Sequence, residues 1–435
     1  MQTQLTPQFL ATPDGRIAEE ALRKCVHCGF CNATCPTYRV FGDELDGPRG
    51  RIYQIKQVLE GQPATPTVQQ HLDRCIGCLH CETTCPSGVR YGELLEVGRR
   101  VVDAAVPRTR TERLKRWLLR EGLTSRAFGP ALRLGQAVRH VLPRPLRELV
   151  PLPPALGPAP WPAPERQALH ARQVVMLRGC VQPALRPHID AATARVLDAC
   201  GVRVQVDSQA GCCGALHAHL GDEERARAAM RRNVDAWWPW VSGSGGRMPA
   251  RVRAEALIVN ASGCGAMIKD YGRWLADDPQ YADRARQISA WTMDVGTWLA
   301  QQAPATLKRL TPHKKSGYTP GAVAYHPPCS LSHAQGERGV VEGLLRGMGF
   351  EVRLAAQDPL QCCGAGGAYS VLQSQTAHAL REAKLDALAA TGCQVVASGN
   401  IGCITHLQAG TATPVRHWIE LVDEVLEANK LKPLP

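Results

Sequence analysis

Cysteine spacing constrains this chain more than any other feature. Cys25-x2-Cys28-x2-Cys31-x3-Cys35 runs directly into Pro36, and Cys75-x2-Cys78-x2-Cys81-x3-Cys85 into Pro86. Iron takes thiolate sulfur readily, and two-residue gaps let three cysteines wrap one corner of a cubane. The longer gap and the proline hold the fourth cysteine away from the first three. The pattern therefore predicts two [4Fe-4S] clusters near the N-terminus. Structural zinc sites also use C-x2-C pairs, but they close four ligands without a third cysteine and a Cys-Pro at these offsets.

The two runs resemble those of bacterial two-cluster ferredoxins, in which the fourth cysteine of each run ligates the other cluster. The resemblance implies Cys25, Cys28, Cys31 and Cys85 for one cluster and Cys75, Cys78, Cys81 and Cys35 for the other. Between the runs, DELDGPRGRIYQIKQVLEG reads as a loop followed by an amphipathic helix. The formal charge is +12. Each cluster with its four thiolates carries about −2, so the assembled chain stands near about +8.

At 435 residues the chain is long enough for about two to three domains. Eighteen cysteines in a secreted chain would suggest disulfides. The opening MQTQLTPQFLATPDGRIAEE has no basic stretch followed by an apolar one, so the expectation is the reducing cytoplasm, with cysteines kept for metal. No run of apolar residues is long enough to span a bilayer, so any membrane contact is peripheral, and the inner face of the cytoplasmic membrane is the place expected for it.

From Arg108 to Arg147, eleven Lys or Arg face only Glu112 and Glu121. Leu114, Trp117 and Leu118 fall at helical spacing among Arg113, Lys115, Arg116 and Arg120, and Leu134, Val138 and Val141 align in a second helical stretch. Such helices dock on a neighbouring domain or lie on anionic lipid. Nucleic acid is a third partner for a basic segment, but no aromatic-basic alternation or DNA-binding motif accompanies it. Nine of the twenty-two residues from Pro143 to Pro164 are proline, which marks a stiff spacer. The domains predicted are a two-cluster module over 1–105, a basic helical connector with its proline-rich linker over 106–166, and two repeats over 167–310 and 311–435.

The repeats share one order. RQVVMLRGC ends at Cys180, a helix runs through Ile189 and Val196, GVRVQV follows, and then Cys212-Cys213-Gly214. In the second copy GAVAYHPPC ends at Cys329, a helix runs through Val341, Leu344, Leu345 and Met348, GFEVRL follows, and then Cys362-Cys363-Gly364. Each closes with an apolar strand and a last cysteine, ALIVNASGC to Cys264 and QVVASGNIGC to Cys403. Strand alternating with helix predicts an α/β fold whose cysteines lie past strand ends, where ligands of such folds gather. The fold class expected is thus a multidomain α+β and α/β chain, with a small α-helical two-cluster module followed by two α/β repeats.

Adjacent cysteines rarely bridge to each other, so these pairs suit metal or redox chemistry. Each repeat offers four: Cys180, Cys212, Cys213 and Cys264, then Cys329, Cys362, Cys363 and Cys403. Four thiolates suffice for an iron-sulfur cluster or a zinc ion. The repeats resemble the cysteine-rich CCG domain of heterodisulfide reductase subunits and of iron-sulfur subunits of respiratory dehydrogenases. That family closes on C-x2-C, whereas Ala261 and Asn400 stand at the first position of the closing pair here.

No G-x-G-x-x-G occurs at a strand-to-helix junction, and GAGGAYS at Gly364 has Tyr369 in the last glycine position. Electron carriers without a site for flavin or nicotinamide point to a relay, and no catalytic residue is expected on this chain. His217, His219, His326 and His333 near the cysteine loops, and Asp43 and Glu44 near the first run, read as local hydrogen-bonding groups. Trp237, Trp238 and Trp240 read as helix packing or a partner patch.

A double cluster module, a linker and two CCG repeats together resemble the glycolate oxidase iron-sulfur subunit family over nearly the whole chain. DELDGPRGRIYQIKQ, RCIGCLHCETTCPSGVRYGELLE and NASGCGAMIKDYG carry the likeness. The resemblance implies a hetero-oligomer in which an FAD-bearing subunit oxidises glycolate to glyoxylate and single electrons pass through this chain to a membrane quinone. The architecture is shared with iron-sulfur subunits of anaerobic glycerol-3-phosphate and D-lactate dehydrogenases, and a heterodisulfide-type thiol enzyme is the alternative chemistry.

Overall fold

The computed structural model describes residues 1–143, 147, 150–153, 160–243, 253–306 and 319–428. The chain forms two compact units. One joins Met1–Arg116 with Leu360–Asp386, and the other joins Trp117–Pro359 with Ala387–Pro435.

The first unit is helical. Helices Pro13–Lys24, Pro48–Leu59 and Pro66–Asp73 each start on proline, whose missing N–H costs nothing at that position. Thr12 and Thr65 cap two of them, accepting from the N–H of Gly15 at 3.0 Å and of Val68 at 3.3 Å. With helix Tyr91–Ala105 they bury Leu22, Ile52, Ile55, Leu72, Leu94 and Val102, each contributing about 1.5–3 kcal/mol by leaving water. Gly98 lets two of these helices cross closely, since a Cβ there would stand 2.6 Å from Ile55 Cγ1.

The second unit carries two four-stranded parallel sheets. In the first, β1 (Arg172–Met176), β2 (Val202–Gln205), β3 (Leu257–Val259) and β4 (Thr292–Asp294) lie in the order β2-β1-β3-β4. In the second, β5 (Ala322–His326), β6 (Glu351–Arg353), β7 (Val396–Ser398) and β8 (Val415–His417) repeat it as β6-β5-β7-β8. Parallel neighbours need helical crossovers that cover the sheet faces, and Val174, Val175 and Ala324 are accordingly buried. The mix of helix with two α/β repeats agrees with the expected class. The strands β4 and β8 were not anticipated, because TMD and VRH are three residues each and carry no apolar run.

The loops after β3 and β7 meet. The N–H of Ser262 donates to Gly399 O at 3.2 Å, and that of Gly263 to Asn400 Oδ1 at 3.3 Å. His417 Nε2 contacts Asn260 O at 2.9 Å. The tryptophans lie on helix Glu223–Ser242: Trp237 is fully buried, Trp240 donates to Asp207 at 3.1 Å, and Trp238 packs under Arg284. Core packing, not a partner patch, accounts for them.

Candidate metal centres

The two N-terminal cysteine runs fold alike. Cys25 and Cys75 each donate their N–H to a leucine carbonyl three residues back, Leu22 and Leu72, at 3.2 Å. In the first run His27 and Gly29 have φ of 59° and 86°, and in the second Gly77 and Leu79 have 71° and 60°. The same two positions are thus left-handed in both, with glycine at one of them in each run. Left-handed residues alternating with right-handed ones aim successive N–H groups into a concavity that suits an anionic ligand, as many iron-sulfur sites require. The short helices Phe30–Ala33 and His80–Thr84 then carry the third cysteine of each run.

Two cavities result. One is lined by Cys25, Cys28, Cys31, Cys85 and Cys81, and the other by Cys35, Cys75, Cys78 and Cys81. Each cavity gathers four or more cysteines on its wall, the donor set that a multinuclear iron-sulfur cluster uses. Burial pushes the Cys31 thiol up to about 11, with Cys25 adding to the shift, and burial with Cys78 and Cys75 pushes Cys81 up as well. Crowded thiolates that repel one another are what a cationic iron core relieves, so the donor set fits a cluster.

The second cavity has a buried polar wall that sequence reasoning missed. The Arg51 side chain is entirely out of solvent. It donates to His71 O at 2.7 Å, Thr37 Oγ1 at 3.0 Å and Asp46 Oδ1 at 3.4 Å. Asp46 also meets His71 Nδ1 at 2.9 Å and Arg74 Nη1 at 2.8 Å. Burial raises the Cys75 thiol, but Arg51, Arg99, the Tyr91 hydroxyl and the Gly77 N–H outweigh it, and the net direction is down. Arg51 gives no sign in the sequence, since GPRGR looks like a solvated basic loop. Around the first cavity Cys28 is exposed, and Arg49 is held by Glu44 at 2.6 and 3.1 Å, with Asn32 on the same carboxylate. Asp43 caps the following turn through the Leu45 N–H.

Residues Leu360–Asp386 bring a third feature to this unit. Tyr369 donates its hydroxyl to Arg74 O at 3.0 Å, and Gly366, at φ 48°, would set a Cβ 2.8 Å from Ile76 Cγ1. The glycine run after Cys362 and Cys363 therefore lets backbone lie against the residue that follows Cys75.

In the second unit Cys180, Cys212, Cys213 and Cys264 come together. Cys212 is the member held as thiolate, because the Cys180 and Cys213 thiols donate to it; Cys180 and Cys213 are correspondingly raised. Gly214 N–H also donates to Cys212 Sγ at 3.4 Å, and the same bond runs from Gly364 to Cys362 at 3.5 Å. Both glycines have φ near 90°, at 91° and 92°. Of the other set, Cys329 and Cys403 belong to the second unit and Cys362 and Cys363 to the first. His326 lies within 4.8 Å of the Cys403 sulfur. All eighteen cysteines are unbridged.

Other clusters are structural. Glu121, His217 and Asp222 approach one another, but Arg120 and Arg225 already occupy the carboxylates. His333 contacts Arg338 at 3.3 Å, and His219 lies in the helix after Gly214. In the basic segment, Arg108 and Arg116 pair with Asp73, while Leu114, Trp117 and Leu118 of helix Arg110–Thr124 are exposed. Leu134 and Val141 are exposed too, and the proline-rich linker lies largely outside the described residues. No described helix is long and apolar enough to cross a membrane.

Comparison with known proteins places these features in sequence families. Residues 21–89 match the 4Fe-4S dicluster domain, and residues 174–269 and 323–408 match the cysteine-rich domain. The chain is 44% identical to the glycolate oxidase iron-sulfur subunit of Escherichia coli over 98% of this chain and 100% of that protein. It is 28% identical to a probable glycolate oxidase iron-sulfur subunit of Bacillus subtilis, over 91% of this chain and 90% of the relative. Lactate utilization protein A of Shouchella clausii is 22% identical over 56% of this chain.

Proposed function

This chain belongs to the family of glycolate oxidase iron-sulfur subunits, and we propose that it carries electrons one at a time from a flavin-bearing partner, where glycolate becomes glyoxylate, toward a membrane quinone. The observation that carries the reading is the pair of adjoining cysteine-lined cavities, with Cys81 on both walls. When bound there, [4Fe-4S] clusters supply one-electron chemistry, which lets the two electrons of a reduced flavin leave separately.

The chain's own residues do the holding. Cys25, Cys28, Cys31 and Cys85 ligate one cluster, and Cys75, Cys78, Cys81 and Cys35 the other. The left-handed residues turn N–H groups toward each sulfur set, and the helical core behind them keeps both cavities in place. Cys180, Cys212, Cys213 and Cys264 hold a further iron-sulfur cluster or a zinc ion, and Cys329, Cys362, Cys363 and Cys403 are the cysteines at the matching positions of the second repeat's sequence. The four domains are those bounded at residues 105, 166 and 310.

The flavin partner docks on the exposed apolar rim around Cys28, made by Val26, Phe30 and Tyr53. Helix Arg110–Thr124 supplies peripheral contact with anionic lipid on the cytoplasmic face, through its exposed Leu114, Trp117 and Leu118 beside Arg113 and Lys115.

Cys28→Ser tests the relay. The variant is expected to lose one cluster's signal and glycolate-driven quinone reduction, while glycolate still reduces the flavin of the complex. Full quinone reduction in that variant would refute the relay. Iron, sulfide and zinc analysis of the anaerobic protein sorts the remaining sites: about eight irons confine the clusters to the N-terminal cysteines, and about twelve add one in the repeats.

A further inference from the structure

The two N-terminal cavities differ in the charge around them. Arg51 stands on the wall of the cavity lined by Cys35, Cys75, Cys78 and Cys81, with no solvent on its side chain. Its Nη1 donates to Thr37 Oγ1 at 3.0 Å, and that oxygen lies 3.3 Å from Cys35 Sγ. Tyr91 donates its hydroxyl to Cys75 Sγ at 3.5 Å. Asp46 faces both Arg51 and Arg74, so two guanidiniums share one carboxylate and a positive charge is left over.

The cavity of Cys25, Cys28, Cys31 and Cys85 has no such arrangement among the described residues. Arg49 is answered by Glu44 through two hydrogen bonds, and its side chain is 33% exposed. The Met1 amino group is only part-buried and is shared among the carbonyl oxygens of Leu22, Arg23 and Cys25.

We infer that the cluster held by Cys35, Cys75, Cys78 and Cys81 has the higher reduction potential of the two, and that Arg51 sets it. The inference rests on the ligand sets proposed above. One electron from the flavin partner adds to iron with no bond made or broken in the protein. The cluster and its thiolates become one unit more negative, and an adjacent buried cation stabilises that form more than the oxidised one. Hydrogen bonds donated to ligating sulfur act in the same direction. Cations that water reaches are screened and do little. Electrons that enter beside exposed Cys28 therefore settle at the second site, and the two clusters form a downhill pair.

The test is a redox titration of the assembled complex, followed by the paramagnetic resonance signals of the reduced clusters. Arg51→Gln is expected to lower the upper midpoint and leave the lower one in place, and Arg51→Lys to restore most of the difference. Tyr91→Phe removes a single oxygen at Cys75 and is expected to lower the same midpoint by less, which keeps the test intact if Arg51→Gln does not fold. Cys28→Ser should alter the lower signal and spare the upper. An upper midpoint that stays put in every folded variant of Arg51 and Tyr91, or a fall confined to the lower one, overturns the inference alone. Fewer than two cluster signals in the unaltered complex overturns the ligand sets, and the inference with them.

Discussion

Gly77 and Gly364 both sit at positive φ, and they pay different penalties for a side chain. A Cβ on Gly77 would meet nothing within 4 Å, so Gly77→Ala carries only the left-handed strain of about 1–2 kcal/mol. On Gly364 the same atom would stand 2.5 Å from Ala377 O, a backbone atom that cannot swing aside. Gly364→Ala is expected to lower the melting temperature distinctly more than Gly77→Ala, and equal shifts would show that the close approach relaxes freely. The cysteines at these turns were legible in the sequence because ligand spacing is local. Arg51 was not, because its burial follows from contacts with Thr37, Asp46 and His71, up to 20 positions away.

Strand β4 ends on Asp294, whose carboxylate caps the following helix Val295–Gln302 by accepting from the Gly296 N–H at 2.8 Å. Burial pushes this carboxyl up to about 7. An unfolded aspartate releases its proton near about pH 4, so Asp294 contributes stability that is full below that value and is lost as pH rises toward 7. Strand β8 ends on His417, which burial pushes down to about 3. The unfolded chain takes up that proton below about pH 6.5, so the stability from His417 is full above 6.5 and is lost as pH falls toward 3. The two dependences oppose each other across the acid range. Asp294→Asn keeps the acceptor for Gly296 but removes one of them. The variant is expected to be more stable than the parent above pH 7 and to lose stability more steeply on acidification; parallel stability curves would contradict this. Both residues lie on the two strands that the sequence left unseen. Four strands, β1, β3, β5 and β7, announced themselves as apolar runs leading to a cysteine, and β2 and β6 through the repeated order of the two copies, whereas β4 and β8 are defined by pairing with β3 and β7.

At the scale of the whole molecule, the two surfaces assigned above to partners make separate predictions. Val26 and Phe30 are 66% and 63% exposed beside Cys28. Phe30→Glu is expected to weaken co-purification with the flavin subunit while leaving the iron content unchanged, and an undiminished complex would move the docking site elsewhere. Trp117→Ser with Leu114→Ser should reduce flotation with vesicles rich in anionic lipid, an effect that salt also produces. Flotation that ignores both changes would remove this helix from the membrane surface. The repeat architecture was legible because the copies share an order of strand, helix and cysteine. The grouping of Leu360–Asp386 with Met1–Arg116 had no local signature, since it depends on Gly366 meeting Ile76 and Tyr369 meeting Arg74.

That grouping also sets a timetable for synthesis. The first unit is made early, but the segment that completes it emerges about 240 residues later. At roughly 5–20 residues per second, the ribosome keeps the nascent module waiting for tens of seconds. During that interval the face at Ile76, beside Cys75, lacks its cover. A nascent chain arrested before Leu360 should therefore lose metal from the Cys75 side sooner than the finished protein does.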